Sequence, residues 1–385
     1  MQTEHQVIYE SATALEDLSE ASIELVVTSP PYPMIAMWDE MFCAQNPAIK
    51  KVLNENKGNR AFELMHRILD AVWKQIYRVL IPGGILCINI GDATRKIGDT
   101  FQLFPSHSRI LNACLAIGFH NLPNIIWRKQ TNAPNKFMGS GMLPPGAYVT
   151  LEHEHILVFR KEQKREFTGE EKERRSESAY FWEERNRWFS DVWFDLKGTQ
   201  QELNHEGIRE RSGAFPFELV YRLINMYSIK GDTVLDPFLG TGTTTLAAMA
   251  SERNSIGCEL DHNFDEVIQS RISHAVDFAN QVIRQRLRNH LEFVKRRKDD
   301  GKELKNRNVH YGFPCISRQE KDLLLRNLTE VNALGENRFA VDYQEGPQEE
   351  FCADYTDEVL EEKLSDVESG KNTDNHNFGQ ETLFG

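Results

Sequence analysis

Short apolar runs alternate with longer segments of helical periodicity over the first 280 residues of the chain. Val26 and Val27 end one such run, and β-branched residues of this kind favour buried strands. Apolar runs predict strands at Gln6–Tyr9, Glu24–Thr28, Ile85–Ile90, Asn124–Trp127, His155–Phe159, Thr233–Asp236 and Ser255–Glu259. Apolar residues at helical spacing predict helices in RAFELMHRILDAVWKQIYRVL, PFELVYRLINMYS and TTTLAAMASE. This alternation predicts an α/β fold whose parallel sheet is covered on both faces.

The segment TSPPY, residues 28–32, directly follows one predicted strand. Pro30 and Pro31 lack N–H groups and have a fixed φ, so they end strand pairing and stiffen the chain beyond it. Open α/β sheets bind their ligands just past the carboxyl ends of the strands. The segment is therefore either an ordinary proline turn or a rigid ledge at a ligand site.

A second motif, GDTVLDPFLGTGTTTLAAMA at residues 231–250, predicts a strand, a glycine-rich loop and a helix. Gly240 and Gly242 allow a tight turn and a close approach of the backbone to a ligand. No lysine follows the glycines, which disfavours hydrolysis of a nucleoside triphosphate. The next strand ends at Glu259, about twenty residues later, where an acid can accept hydrogen bonds from ribose hydroxyls. The loop and the acid together indicate a nucleoside cofactor.

TSPPY followed by DPFLGTGTT, in this order, resembles the amino-methyltransferases of DNA that use S-adenosylmethionine, and among them the permuted beta group. The resemblance covers residues 6–280 and extends through ILCINIGD, EHEHILVFRK and AFPFELVYRLI. It implies a Rossmann-like, doubly wound and mostly parallel sheet with a reversed β-hairpin, in a circularly permuted methyltransferase fold. It also implies S-adenosyl-L-methionine as the cofactor and double-stranded DNA as the substrate.

The resemblance assigns roles to the residues of both motifs. Ser29 and the Pro30 carbonyl would accept hydrogen bonds from the amino group of a target base, and Pro31 removes a competing N–H. Tyr32 would stack on the base once it has left the duplex. The cofactor pocket would comprise Asp236, Phe238, Gly240, Gly242, Thr243 and Glu259, with Phe215 and Pro216 beside the methionine part.

Serine at position 29 bears on which base is modified, because SPPY in this family accompanies mostly N4 of cytosine and DPPY mostly N6 of adenine. The sequence therefore predicts a base-flipping, cytosine-N4-specific DNA methyltransferase. We expect it to be the modification enzyme of a restriction–modification system with a cognate restriction endonuclease. N6-adenine methylation is the alternative, since both reactions need the same two acceptors. An RNA or small-molecule methyltransferase and a non-catalytic DNA-binding protein are further alternatives.

Two features leave the ligand contacts open. The family often has Gly-Asp after the first strand, where this chain has Glu10 and Ser11, so the residue that meets the cofactor's adenine is undetermined. The segment Trp127–Tyr148 carries basic residues and no acid. Expected DNA contacts there are Arg128, Lys129, Asn132, Asn135 and Lys136. Loop 128–150 and residues 161–204 form the predicted target-recognition region, or else the loop only covers the cofactor.

Charge is distributed unevenly along the chain. The net charge is −13, but residues 341–385 alone hold thirteen Asp and Glu against two Lys. Residues 1–160 and 205–280 are the predicted catalytic core, residues 281–340 a basic helical extension, and residues 341–385 an acidic tail that we expect to be disordered. The segment Arg284–Arg307 carries ten basic residues against four acids and is either a phosphate-binding surface or a solvated helix.

The remaining sequence features concern a protein partner, metal binding, an aromatic segment and the location of the protein. The final GQETLFG resembles peptides that dock on the replication sliding clamp, through Gln380, Leu383 and Phe384. The six cysteines are scattered, and His153 and His155 alternate along a strand, so no metal site is expected. The aromatic segment FWEERNRWFSDVWFD is either a small core or a recognition surface. No apolar stretch reaches membrane-spanning length, and the scattered cysteines fit a reducing cytosol. The resemblance implies a cytoplasmic, nucleoid-associated protein of a bacterium or archaeon.

Overall fold

The computed structural model describes residues 1–129, 138–196 and 215–369. Its strands are β1 (Gln2–Ile8), β2 (Ile23–Thr28), β3 (Leu80–Ile90), β4 (Ala93–Ile97), β5 (Thr100–Phe104), β6 (Phe119–Asn121), β7 (Ile125–Arg128), β8 (Met138–Gly139), β9 (Ala147–Tyr148), β10 (His153–Lys161), β11 (Val192–Trp193), β12 (Thr233–Asp236), β13 (Asn254–Cys258), β14 (Asn306–Arg307), β15 (Pro314–Cys315), β16 (Leu328–Gly335) and β17 (Arg338–Tyr343). Its helices are α1 (Asp39–Gln45), α2 (Ala48–Asn54), α3 (Gly58–Val79), α4 (Ser106–Ile117), α5 (Glu170–Glu177), α6 (Trp182–Trp188), α7 (Phe217–Tyr227), α8 (Thr243–Met249), α9 (Asp265–Ser273), α10 (Ala275–Asp299) and α11 (Asp357–Ser369).

The main sheet runs in the order β11-β7-β10-β3-β2-β12-β13-β1-β17-β16, and β6 pairs with β10. The central strands β3, β2, β12, β13 and β1 pair in parallel. Strand β10 pairs antiparallel with β3 and then with β7, which forms the reversed hairpin. The predicted Rossmann-like, mostly parallel sheet is thus confirmed.

Helices cover the two faces of the sheet from different parts of the chain. Apolar residues of α3 recur at helical spacing and pack with Leu235 and Ile88 in one core. Helices α7, α8 and α10 pack in a second core on the other face, with Leu25 and Val234. Strand β2 leads into helices on the first face, and its neighbour β12 leads into α8 on the second. The sheet therefore has its topological switch point between β2 and β12, where open α/β sheets form their ligand crevice.

The chain beyond residue 299 differs from expectation. Helix α10 ends at Asp299, so the predicted extension 281–340 is helical only to that point. Strands β16 and β17 form a hairpin that adds antiparallel to β1, because the alternating apolar residues of FAVDY suit the free edge of the sheet. The expected disorder of residues 341–385 is wrong for residues 341–369. Phe351, Tyr355 and Leu360 of this segment are each buried.

The aromatic segment after residue 180 is a core element. Phe181 and Trp193 are buried in the core that contains α7 and α10. Trp188 is buried as well, and its carbonyl accepts a hydrogen bond from Trp193 Nε1 at 3.0 Å. The carboxylate of Glu184 binds Arg286 of α10 at 2.6 Å, which ties the segment to the fold. The first of the two interpretations of this segment therefore holds for these side chains. Within the described ranges, no helix combines the length and the apolar character needed to cross a membrane.

Candidate active site

A cavity of about 690 Å³ opens at the carboxyl ends of β1, β2, β12 and β13. Each of these strands is followed by residues that line the cavity, at Glu10–Thr13, Ser29–Tyr32, Pro237–Thr241 and Cys258–Asp261. The parallel order of the strands brings these segments to one edge of the sheet. TSPPY and the glycine-rich loop, which are far apart in sequence, thus share one cavity.

Asp236 lies behind the cavity wall and connects its two halves. One carboxylate oxygen accepts hydrogen bonds from Thr28 Oγ1 at 2.7 Å and from the Phe238 amide at 3.0 Å. The other accepts from Thr244 Oγ1, in the first turn of α8, at 2.6 Å. Burial raises the pKa of Asp236 to about 6, and these hydrogen bonds oppose that effect. Asp236 itself does not line the cavity, and both of its carboxylate oxygens bind groups of the protein.

The glycine-rich loop is held in a left-handed conformation. Gly240 has φ +55° and Gly242 has φ +82°, values that side chains disfavour. A Cβ on Gly240 would meet no atom within 4 Å, so this glycine faces open space. On the protein side, Arg271 Nη1 donates to Thr241 Oγ1 at 2.7 Å and to Thr243 Oγ1 at 3.1 Å. The loop is therefore fixed from behind and open in front.

Glu259 lies opposite this loop with its carboxylate fixed by backbone amides. One oxygen accepts from the Gly240 amide at 2.7 Å, and the other accepts from Leu260 at 2.8 Å and Asp261 at 2.9 Å. Burial raises the pKa of Glu259, and these hydrogen bonds counteract the shift. The oxygen bonded only to Gly240 keeps acceptor capacity for a ligand hydroxyl.

The rest of the predicted cofactor set divides into two groups. Phe215, Phe238 and Thr243 line the cavity with Gly240 and Glu259, whereas Pro216 and Gly242 do not. Glu10 and Ser11 also line it, beside the carboxyl end of β1. An acceptor for ribose hydroxyls, two aromatic rings and an open glycine loop fit a nucleoside cofactor.

TSPPY forms the opposite wall, where the hydroxyl of Tyr32 belongs to a polar network. Tyr32 Oη donates to Glu154 Oε2 at 2.9 Å and lies 3.2 Å from Ser29 Oγ. Asn89 Nδ2 donates to Tyr32 Oη at 2.9 Å and to Glu154 Oε2 at 2.7 Å. Burial, followed by the charge of Glu154, raises the pKa of Tyr32 well above its usual value. The tyrosine is therefore a fixed, neutral hydrogen-bonding group.

Glycine at position 91 makes room for this arrangement. A Cβ there would lie 2.9 Å from Tyr32 Cε2 and 3.4 Å from Glu154 Cγ. Asn89 and Glu154 were not predicted as site residues, although they lie in the segments ILCINIGD and EHEHILVFRK. Glu154 alone had a local signal, since it is an acid that alternates with the buried Ile156 and Val158 on one face of its strand.

The expected DNA contacts fall in different surroundings. Lys129 lines the cavity, and its Nζ binds Glu154 Oε1 at 2.9 Å. Arg128 is exposed and lies 3.4 Å from Glu152. Asn132, Asn135 and Lys136 lie outside the described residues.

The histidines of EHEH adjoin the site from outside the cavity. The rings of His155 and His107 stack at 3.9 Å with an interplanar angle of 20°, and His107 Nδ1 binds Asp92 at 2.8 Å. Burial lowers the pKa of His155 to about 4. The side chains of Asp92, His107 and His155 each bring one potential ligand atom to within 4.8 Å of the others, a spacing that could hold a metal ion.

A glycine-rich loop, an opposing acid and the TSPPY ledge in one cavity at the switch point define a Rossmann-like transferase site. Residues 23–270 match the family model N6_N4_Mtase, DNA methylase. The chain is 53% identical over 347 residues to the Type II methyltransferase M.MthZI of Methanothermobacter thermautotrophicus, covering 90% of this chain and 96% of that protein. It is 50% identical over 281 residues to the Type II methyltransferase M.MjaI of Methanocaldococcus jannaschii, covering 70% of this chain and 91% of that protein.

A solved structure is similar as well. It is a crystal structure from Thermus thermophilus, assigned as a DNA modification methylase, in complex with S-adenosyl-L-methionine. The TM-score is 0.55 at 33% identity, over 71% of this chain and 94% of that chain. The chain belongs to the DNA methylase family and uses S-adenosyl-L-methionine as its cofactor.

Proposed function

We propose that this methyltransferase modifies the exocyclic N4 of cytosine in duplex DNA, on a base flipped into the cavity. The observation that carries the proposal is the double attachment of Asp236. Its carboxylate binds Thr28, next to Ser29, and also Thr244 in the helix after the glycine-rich loop. The acceptor for the target amine and the loop for the cofactor are therefore fixed relative to each other. Such fixed placement lowers the barrier of a two-substrate reaction.

For this reaction the protein must place the target amino group beside the cofactor and supply hydrogen-bond acceptors to it. The lone pair of an exocyclic amino group is delocalised into the ring, which makes the group a poor nucleophile. Ser29 Oγ and the Pro30 carbonyl accept its N–H bonds and localise the lone pair, and Tyr32 stacks on the base. The bound cofactor supplies an electrophilic methyl group. Glu259 and Phe238 hold its nucleoside part.

Residue 29 supports cytosine as the base, because this family pairs SPPY mostly with N4 of cytosine. N6-adenine methylation uses the same acceptors and remains the alternative. The relatives named Type II methyltransferases support a place in a restriction–modification system with a cognate endonuclease. The order of TSPPY and the glycine-rich loop supports membership of the beta group.

Exposed apolar side chains support target recognition by loop 128–150. Met142, Leu143 and Val149 are 85%, 71% and 82% exposed. Apolar groups left in solvent together indicate a contact surface for a large partner. In the chain, these residues lie between Lys129 of the cavity and β10, which supports a contact surface beside the site.

Expression in a host that lacks DNA methylation tests the base assignment. Digestion of its DNA to nucleosides is expected to yield N4-methylcytosine, and sequencing of modified bases then gives the recognition site. N6-methyladenine alone would contradict the assignment to cytosine. The product 5-methylcytosine would contradict the amine mechanism, because methylation at that carbon needs a cysteine nucleophile.

A further inference from the structure

Glu154 connects the cavity to solvent through a continuous chain of polar contacts. Ser29 Oγ lies 3.2 Å from Tyr32 Oη, which donates to Glu154 Oε2 at 2.9 Å. Glu154 Oε1 accepts from Lys129 Nζ at 2.9 Å, and the side chain of Lys129 is 42% exposed. The chain thus runs from the expected position of the target amine to the surface.

Asn89 fixes the direction of the hydrogen bonds in this chain. Its Nδ2 donates to both Tyr32 Oη and Glu154 Oε2, so it holds the two oxygens side by side. An ionised carboxylate only accepts, so the single proton of the Tyr32 hydroxyl points to Glu154. The contact between Ser29 and Tyr32 must then be donated by Ser29. The lone pairs of Ser29 Oγ stay available for an N–H of the target amine.

We infer that Glu154 is the positioning residue that draws a proton away from the target amine through Tyr32 and Ser29. The nitrogen lone pair forms the bond to the methyl carbon, and the carbon–sulfur bond breaks with its electron pair left on sulfur. One N–H proton passes to Ser29 Oγ, the Ser29 proton passes to Tyr32, and the Tyr32 proton passes to Glu154. Glu154 then releases this proton to solvent on the Lys129 side. The inference rests on the proposed role of Ser29.

The charge of Glu154 gives this relay its driving force. Methyl transfer moves positive charge onto the nitrogen beside Ser29, and a carboxylate in a poorly solvated site stabilises that charge. The titratable groups in contact with Glu154 are Lys129 and Tyr32, and its neighbours on the strand, His153 and His155, point to the other face of the sheet. The Lys129 ammonium binds Glu154 Oε1 at 2.9 Å, and the fixed tyrosine links this carboxylate to Ser29.

Single-turnover methyl transfer with Glu154→Gln tests the relay. The substrate is unmethylated genomic DNA, and the pH runs from about 5 to 9 to span the titration of carboxylates and imidazoles. We expect the rate to fall by about 100-fold or more, as for loss of a general base. The dependence of the rate on pH should differ between the wild type and the variant, because a glutamine at this position cannot accept a proton. Affinities for cofactor and DNA should stay at wild-type values.

Glu152→Gln is the matched control, since it removes an exposed acid two residues before Glu154. It should keep the wild-type rate and pH profile. Tyr32→Phe keeps the stacking ring but lacks the hydroxyl, so it should reproduce the loss seen with Glu154→Gln. The double variant should lose no more of the transfer rate than either single variant, because both changes interrupt the same series of hydrogen bonds.

A wild-type rate and pH profile in Glu154→Gln would overturn the relay. If that variant fails to fold, Tyr32→Phe decides in the same way. Failure of the relay leaves the proposed function standing, provided that the wild-type enzyme methylates a base amino group. A wild-type enzyme that methylates no such group would overturn the proposed function instead.

Discussion

Asp236 joins the two motifs of the site, and its burial makes the stability of the fold depend on pH. Its folded-state pKa of about 6 lies above the usual 3.8. The native state therefore keeps this proton over a pH range in which the unfolded chain has lost it. The contribution of Asp236 is fully present below its usual pKa and is lost as pH rises through the folded value.

Asp236→Asn should remove this dependence. Relative to wild type, the free energy of unfolding of the variant should rise by up to about 3 kcal/mol between pH 4 and pH 7, the equivalent of this pKa shift. Urea unfolding of both proteins at the two pH values measures the difference. A difference that does not change with pH would contradict the raised pKa.

Single residues of the site were predictable where a motif is continuous in sequence. TSPPY and the acid at Glu259 follow strands, so their placement could be predicted from the strand ends. Asn89 and Glu154 meet because β10 pairs antiparallel with β3, with Ile156 opposite Asn89. That register follows from how the whole sheet packs, which a local pattern does not specify.

Among the elements, the C-terminal segment 341–369 differs most from what its composition predicted. Its acids form exposed ion pairs with α10, at 2.6 Å for Lys298–Asp357 and 2.6 Å for Lys295–Glu361. Exposed pairs contribute little, so its few apolar residues hold it in place. The prediction of disorder was based on the net charge of the segment, and it did not take these few apolar residues into account. Strand β12 matches its predicted bounds, Thr233–Asp236, because apolar residues and a motif coincide there.

Phe351→Ala tests whether this segment belongs to the fold. Phe351 is 2% exposed, so its truncation should lower the free energy of unfolding by about 3–5 kcal/mol. Glu350→Ala is the neighbouring control, because its only ion pair in the described structure is an exposed one with Arg284. Thermal or urea unfolding compares the two variants. Equal stability of both would mean that the segment is not packed.

Across the whole molecule, the basic end of α10 lies far from the cavity. Phe278 stacks edge-on against Phe217, close to the cavity residue Phe215, and Arg286 contacts Tyr221 further along α7. Helix α10 thus runs away from the site beside α7. At 1.5 Å per residue, Arg296 lies about 27 Å beyond Phe278. This placement favours a solvated helix over a phosphate-binding surface.

Neutralising Arg296, Arg297 and Lys298 together should therefore leave DNA binding almost unchanged in its salt dependence. The measurement is the slope of log affinity against log salt concentration for the wild-type and the triple variant. A slope that flattens by about 0.9 for each substituted residue would show that these side chains contact phosphates.

The central claim is that the cofactor half and the base half of one cavity have separate tasks. Ser29→Ala tests it most directly, with methyl transfer to duplex DNA and cofactor affinity measured on the same protein. The account predicts that transfer falls by about 100-fold or more, as on loss of a group that stabilises developing charge, with cofactor affinity unchanged. Transfer at the wild-type rate, or loss of cofactor binding in step with transfer, would contradict it.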